Sequence, residues 1–294
     1  MRYQVRHVTT YSYAKPVDLA SHLLHLTPRM LPGQEVLSAS LSAVPAPARL
    51  TEADDHFGNR ATWMFLDRPH KEFEVTVQAE LDVAFPPPPP ATATPPWDAL
   101  LAGLRAGAPG FWHAAEFTFD SPLAPADRTA GLYAHHSFPP GRPVLEGLLD
   151  LTRRIRQDFA FRAGVTTVYT PVSKVLAQRA GVCQDFTHVM IAGLRALGLS
   201  ARYVSGYLRT HPPAGQAARR GADQSHAWVG AWLGPQYGWV GLDPTNDLVV
   251  HDEHVVLAWG RDYGDISPVR GVILGGGKHT VTAGVDLEPV PEAR

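Results

Sequence analysis

Gly181-Val182-Cys183-Gln184-Asp185-Phe186-Thr187-His188 carries the only cysteine of the chain at what reads as the start of a helix. Apolar residues recur behind it at Phe186, Val189, Met190, Gly193 and Leu197 with a helical period, and Gly198 supplies a stop. Cys183 then falls in the first turn. Free N–H groups and the positive end of the helix dipole favour an anion there, so the spacing predicts a thiol with thiolate character. A free cysteine is more often an inert core side chain. What makes this one a candidate nucleophile lies downstream.

Asp223-Gln224-Ser225-His226-Ala227-Trp228-Val229-Gly230-Ala231-Trp232 alternates as a strand does, with His226, Trp228 and Trp232 on one face and Ala227, Val229 and Leu233 on the other. Gly234-Pro235-Gln236-Tyr237-Gly238 is a turn by composition, and Trp239 to Asn246 reads as the returning strand. The predicted hairpin brings Asp243 within a few positions of His226. A nucleophile, a histidine that takes and returns its proton, and an acid that orients the histidine are what thiol acyl transfer requires. Alone, a strand histidine is more often structural and Asp-Pro-Thr-Asn more often an Asx-type turn. Their joint occurrence after a helix-starting cysteine carries the weight.

Working outward, the chain has 294 residues, 45% of them hydrophobic, enough for one large or two modest domains with a sizeable core. A net charge of -2 from 26 basic and 28 acidic residues gives no reason to expect nucleic acid or a membrane as partner. One cysteine forms no internal disulfide, and no apolar run resembles a signal peptide or a membrane span, so a cytoplasmic protein is expected.

Residues 1–85 read as an all-β domain, with alternation at Tyr3, Val5, His7, Thr9 and Tyr11 and again from Phe73 to Val83. The prolines 86–90, followed by Pro95 and Pro96, make a stiff connector, and 86–142 is assigned to this linker and an irregular region with one short helix from Trp97 to Arg105. A second helix runs from Pro143 to Gln157, and Ser173 is placed as the cap of a third. Residues 143–275 form the unit around Cys183. A last strand within 280–290, alternating at Val281, Ala283, Val285 and Leu287, is expected to return to the N-terminal β region. The Pro-, Gly- and Arg-rich stretch Thr210 to Gln224 reads as a long loop.

Three segments together resemble the bacterial transglutaminase-like proteins of the papain-like thiol superfamily: Gly181 to His188, Ser225-His226-Ala227-Trp228-Val229, and Gly241-Leu242-Asp243-Pro244-Thr245-Asn246. Ala201 to Leu208 and Gly260-Arg261-Asp262-Tyr263 are similar too, and Tyr3 to Val17 looks like the accompanying β domain. The resemblance implies an α+β fold: a papain/transglutaminase-like core, its Cys-bearing helix packed on an antiparallel sheet, with an N-terminal all-β domain. It implies Cys183 as nucleophile, His226 as base then acid, and Asp243 as the orienting carboxylate. The Cys183 N–H is a natural oxyanion donor, and Tyr169 and Thr166 are the candidates for a second. Trp228, Trp232 and Trp239 are candidates for a substrate groove, with plain core as the other reading.

His188 and Asp185 point about 140° and 200° away from Cys183 round a helix, which makes them supports rather than bases. His251-Asp252-Glu253-His254 lacks the helical metal-binding spacing, so no metal and no cofactor are expected. The expected substrate is a peptide or another amide. Hydrolysis is favoured over transfer to an amine, with a catalytically silent binding module as the reading from another class.

Overall fold

A 23-residue strand, β1 (Arg2–Leu24), is the spine of the N-terminal half, with Tyr3, Val5, His7, Thr9 and Tyr13 turned inward. The structure is a computed structural model and describes residues 1–211 and 223–290; most of the loop expected at Thr210 to Gln224 lies outside the described residues. After β1 come β2 (Gln34–Val44), β3 (Arg49–Asp54), β4 (Arg60–Leu66) and β5 (His70–Val83), in the antiparallel order β2-β5-β1-β4-β3. The first half of β1 pairs with β5 and the second half with β4. The curl encloses a core of Val17, Leu24, Met64, Phe73 and Val75.

Beyond the proline run lie α1 (Trp97–Arg105), α2 (Trp112–Ala115) and α3 (Arg128–His135), the last capped by the Asp127 side chain, which accepts from the Ala130 N–H at 2.8 Å. Next, α4 (Val144–Asp158) buries Val144, Leu148, Leu151 and Ile155 as one stripe. A two-residue β6 (Ala160–Phe161) leads to α5 (Val172–Gln178), β7 (Ala180–Gly181) and α6 (Cys183–Ala196). Ser173 does not cap α5. That helix starts behind Pro171, whose φ of -63° suits the entry and which has no N–H to leave unpaired.

A second antiparallel sheet contains β8 (Ala201–Leu208), β9 (Gln224–Trp232), β10 (Trp239–Asp243), β11 (Leu248–Val249) and β12 (His254–Gly260), ordered β11-β10-β9-β8-β12. Phe186, Met190 and Leu194 of α6 share one core with Ala201, Tyr203, Ala227 and Val229 on the near face of this sheet. On its other side α6 approaches α3 closely: a Cβ on Gly193 would lie 2.9 Å from that of Ala134. The chain then returns to the first sheet as β13 (Val269–Gly275) and β14 (His279–Pro289), both antiparallel to β1. No helix among the described residues is long and apolar enough to cross a membrane.

The two halves meet along the outer edge of β12. The Gln34 side-chain amide accepts from Val256 N–H at 2.8 Å and donates to Val256 C=O at 2.8 Å, while Asn59 does the same for Trp259 at 2.9 and 2.8 Å. Two side chains of the N-terminal region, one from β2 and one from the β3–β4 turn, thus stand in for a missing neighbour strand, which leaves β12 without an open edge at those positions. Tyr3, Val5, Leu81, Tyr207, Val255 and Leu287 form the apolar layer beside them.

Candidate active site

The start of α6 is fixed by an acid rather than by a conventional cap. Val182 is extended and offers no cap oxygen of its own, and its N–H donates to Asp185 Oδ2 at 2.7 Å. The same oxygen accepts the Thr166 hydroxyl at 2.7 Å, and Gln184 Nε2 donates to Val168 C=O at 3.0 Å. Both bonds staple the upstream loop to the first turn. A Cβ on Gly181 would lie 2.6 Å from Asp185 Oδ2, so glycine is required for this approach. Burial pushes the Asp185 carboxyl up, against the two bonds that hold it ionised. Cys183 is the first residue of the helix and is half-buried against the main core.

The β9–β10 register sets Leu242 opposite Val229, so Asp243 stands level with Trp228, near His226. His226 Nε2 donates to Asp243 Oδ2 at 2.7 Å, and both groups are buried. Cys183 lies close enough to the His226 ring to act on its charge. Burial alone would lower the His226 pKa, but the bonds and charges of Asp243 and Cys183 outweigh it and push it up to about 10. Asp243 is fully buried; burial pushes it up, but His226, His254 and Asn246 hold its carboxyl well below the usual range.

Two neighbours that sequence reading left without a role complete this cluster. Asn246 Nδ2 donates to Asp243 Oδ2 at 2.7 Å, while Asp243 Oδ1 accepts the N–H of Thr245 at 2.9 Å and of Asn246 at 3.2 Å. This is the Asx-type turn of Asp-Pro-Thr-Asn, and it serves the acid as well as the backbone. His254, from the run rejected as a metal site, opens β12 fully buried with Nε2 3.7 Å from Asp243 Oδ2. The signal was in the sequence, since a histidine that begins an apolar strand has no solvent to face. Among the described residues, no group of three or more His, Cys, Asp or Glu is arranged to hold a metal.

Other candidate residues lie elsewhere. The Thr166 proton is committed to Asp185, so its hydroxyl is not free to serve an oxyanion. Tyr169 is 77% exposed, at the rim of a cavity of about 520 Å3 shared with Val168 and Tyr263. Trp232 does not line a groove: at the end of β9 alternation stops, and it packs in the main core, 4.7 Å from the Phe111 ring. Trp228 is buried between Val204 and Val256, edge-on to His254, and Trp239 packs against Phe117. His188 accepts the Tyr263 N–H at 3.2 Å, a structural bond. Tyr203 lies between His188 and Tyr263, and burial, with Cys183 close by, pushes its phenol well up.

Comparison with known proteins accords with this arrangement. Residues 3–82 match the model of the bacterial transglutaminase-like N-terminal region, and residues 139–244, which contain Cys183, His226 and Asp243, match that of the transglutaminase-like superfamily. An uncharacterised protein of Mycobacterium tuberculosis is 42% identical over 297 residues, covering 98% of this chain and 93% of the relative. One from Mycobacterium leprae is 30% identical over 97% of this chain and 98% of its own length. A 68-residue stretch, 23% of this chain, is 40% identical to 10% of a protein-glutamine gamma-glutamyltransferase of Pseudomonas aeruginosa. Among solved structures, a candidate cysteine protease from Cytophaga hutchinsonii superposes with a TM-score of 0.76 at 22% identity, over 100% of this chain and 92% of that one, which shows a shared fold. The chain belongs to the bacterial transglutaminase-like family, with its N-terminal β region and its transglutaminase-like core.

Proposed function

We propose that the protein carries out thiol-dependent acyl transfer on a peptide or other amide. With its proton already on His226, Cys183 Sγ attacks the amide carbonyl carbon as the thiolate, and the carbonyl π pair moves onto oxygen. That oxyanion faces the start of α6, where the Cys183 N–H is a donor. Collapse breaks the C–N bond; His226 returns the proton to the leaving amine, and a thioester remains. Water, deprotonated by His226, then attacks the thioester and releases a carboxylic acid and the thiol. Asp243 keeps the imidazole oriented with its Nε2 proton inward, which leaves the other nitrogen for sulfur.

The observation that supports this reading is one imidazole bonded to a buried carboxylate and close to the chain's sole thiol. Hydrolysis is the preferred outcome, because water needs no acceptor site. Transfer to a primary amine is the second reading, favoured by the stretch shared with a named gamma-glutamyltransferase. A thiol that must stay reduced fits a reducing compartment such as the cytoplasm. Incubation with a glutamine peptide and a labelled primary amine separates the outcomes. Ammonia and glutamate without label support hydrolysis, label in the peptide supports transfer, and neither reaction on a panel of amides removes the catalytic reading.

A further inference from the structure

On the face of the second sheet opposite α6 lies a cavity of about 600 Å3, walled by the proline run Pro86–Pro89, Phe85, Trp228, Trp239 and Trp259. Cys183, His226 and Asp243 do not line it, so it stands apart from the acyl-transfer site. Its volume is that of a small-molecule site, for which clefts of roughly 300 to 1,000 Å3 are usual. Among the described residues that line it, Arg202 is the sole charged side chain.

Arg202 reaches this wall because its cross-strand partner is Gly230, where a Cβ would lie 2.9 Å from Arg202 Nε. Its guanidinium carbon lies 4.2 Å from the Trp239 ring centroid and 3.8 Å from that of Trp259. Arg29 stacks on Trp259 at 3.5 Å but bonds Asn59 and has Asp55 nearby. Arg202 has no such partner: its Nε is buried without an acceptor, and the charged group acting on it is Arg29. The fully buried Arg195 is treated differently, since it donates to Phe117, Ala124, Ala201 and Arg261 carbonyls and to the Ser121 hydroxyl. Burial, and then Arg29, push the Arg202 guanidinium down to about 9, which still leaves it protonated at neutral pH. A half-buried guanidinium in an aromatic wall, its Nε shut away without an acceptor of the protein's own, is complementary to a planar anion.

We propose that this cavity binds a small carboxylate-bearing molecule with a flat apolar body, its carboxylate on Arg202 and its body against Trp228, Trp239 and the proline wall. A neutral molecule of the same shape gains the apolar contact but leaves the guanidinium without an acceptor. The full-length protein is titrated calorimetrically with 2-naphthoate and, separately, with neutral 2-naphthalenemethanol. The expected result is about tenfold or greater preference for the carboxylate in the wild type, since a charge-assisted bidentate pair is among the stronger polar contacts. In Arg202→Met, which retains an apolar stem between the two tryptophans, that preference should vanish while binding of the alcohol persists. Equal affinity for both probes in the wild type, binding of neither, or a preference that survives Arg202→Met would each overturn the proposal. The two-probe comparison needs only the wild-type protein, so it decides the matter even where the variant does not fold.

Discussion

Asp243→Asn is the sharpest test of the proposed triad because no orientation of the new amide satisfies its surroundings. Oδ1 accepts two backbone N–H groups, at 2.9 and 3.2 Å, and Oδ2 accepts His226 Nε2 and Asn246 Nδ2, each at 2.7 Å. If the amide NH2 takes the Oδ1 position, it meets two donors. If it takes the Oδ2 position, it meets Asn246 Nδ2, and His226 must become an acceptor there. His226 then carries its proton on the nitrogen that faces Cys183 and cannot take another from sulfur. The first orientation loses two buried pairings and the second loses one along with the working tautomer, at roughly 1 to 3 kcal/mol for each unsatisfied group, so a destabilisation of about 1 to 3 kcal/mol is expected in the less costly orientation. The charge that opposed desolvation of His226 also disappears, and burial then pushes its pKa down. By analogy with triads that hold the wrong tautomer, loss of reactivity can reach about 10^4 in turnover. The assay is the rate of Cys183 alkylation by iodoacetamide from pH 6 to 8, read by mass spectrometry; a single cysteine leaves no background. At pH 6 the wild type should react at least about tenfold faster than the folded variant. Equal rates across the range, with an unchanged melting temperature, would refute the triad.

Replacing His254 with Phe removes the donor that faces Asp243 at 3.7 Å and should slow alkylation by about fivefold, the equivalent of one modest polar contact; no change would mean that the contact does nothing. Stability should fall as pH drops from about 6.5 towards 4, because burial holds His7, His22 and His188 near 4 and the unfolded chain binds the protons that the native state refuses. Each such group can cost up to about 3 kcal/mol over that window. His226 acts with the opposite sign: its raised value contributes stability that is complete below about 6.5 and lost as pH rises towards 10. Urea midpoints at pH 7.5, 5.5 and 4.5 check the window, and a flat response from 7.5 to 4.5 would contradict it. Gln34→Leu should cost about 1 to 3 kcal/mol in chemical unfolding, since it strands the Val256 N–H while the C=O keeps the Arg29 N–H at 3.1 Å, and a near-native midpoint would show that β12 finds another partner.

Local patterning made the helix at Cys183 and the strand Ala201 to Leu208 legible, because period and punctuation are properties of neighbouring residues. The α+β class followed from the resemblance carried by the three family-like motifs. What escaped was contact between distant parts of the chain. Nothing local marks Thr166 as a partner of Asp185, 19 residues on, or Gln34 as a partner of Val256, 222 residues on. Trp232 was placed on the face of Trp228 because alternation was carried to the last residue of the strand, whose side chain instead packs in the main core. His254 was weighed only as a metal ligand and set aside for its spacing, although the apolar run Val255-Val256-Leu257-Ala258 behind it is what places it inside.

These distant contacts bear on the proposed chemistry through β12. The strand begins with His254 beside Asp243, and its outer edge at Val256 and Trp259 is held by Gln34 and Asn59 rather than by another strand. An amide side chain fixed at both its oxygen and its nitrogen permits little sliding of the backbone it grips. The first sheet is fixed in turn by Tyr207, whose hydroxyl lies 2.6 Å from His7 Nδ1, and by the apolar layer between the sheets. A carboxylate that must hold an imidazole to within a few tenths of an ångström needs neighbours that do not drift. The N-terminal β region therefore bears on the candidate site as its rigid backing, without contributing a residue to the Cys183–His226–Asp243 cluster. A change at Gln34 is then expected to reach Asp243 through His254 as well as to lower stability.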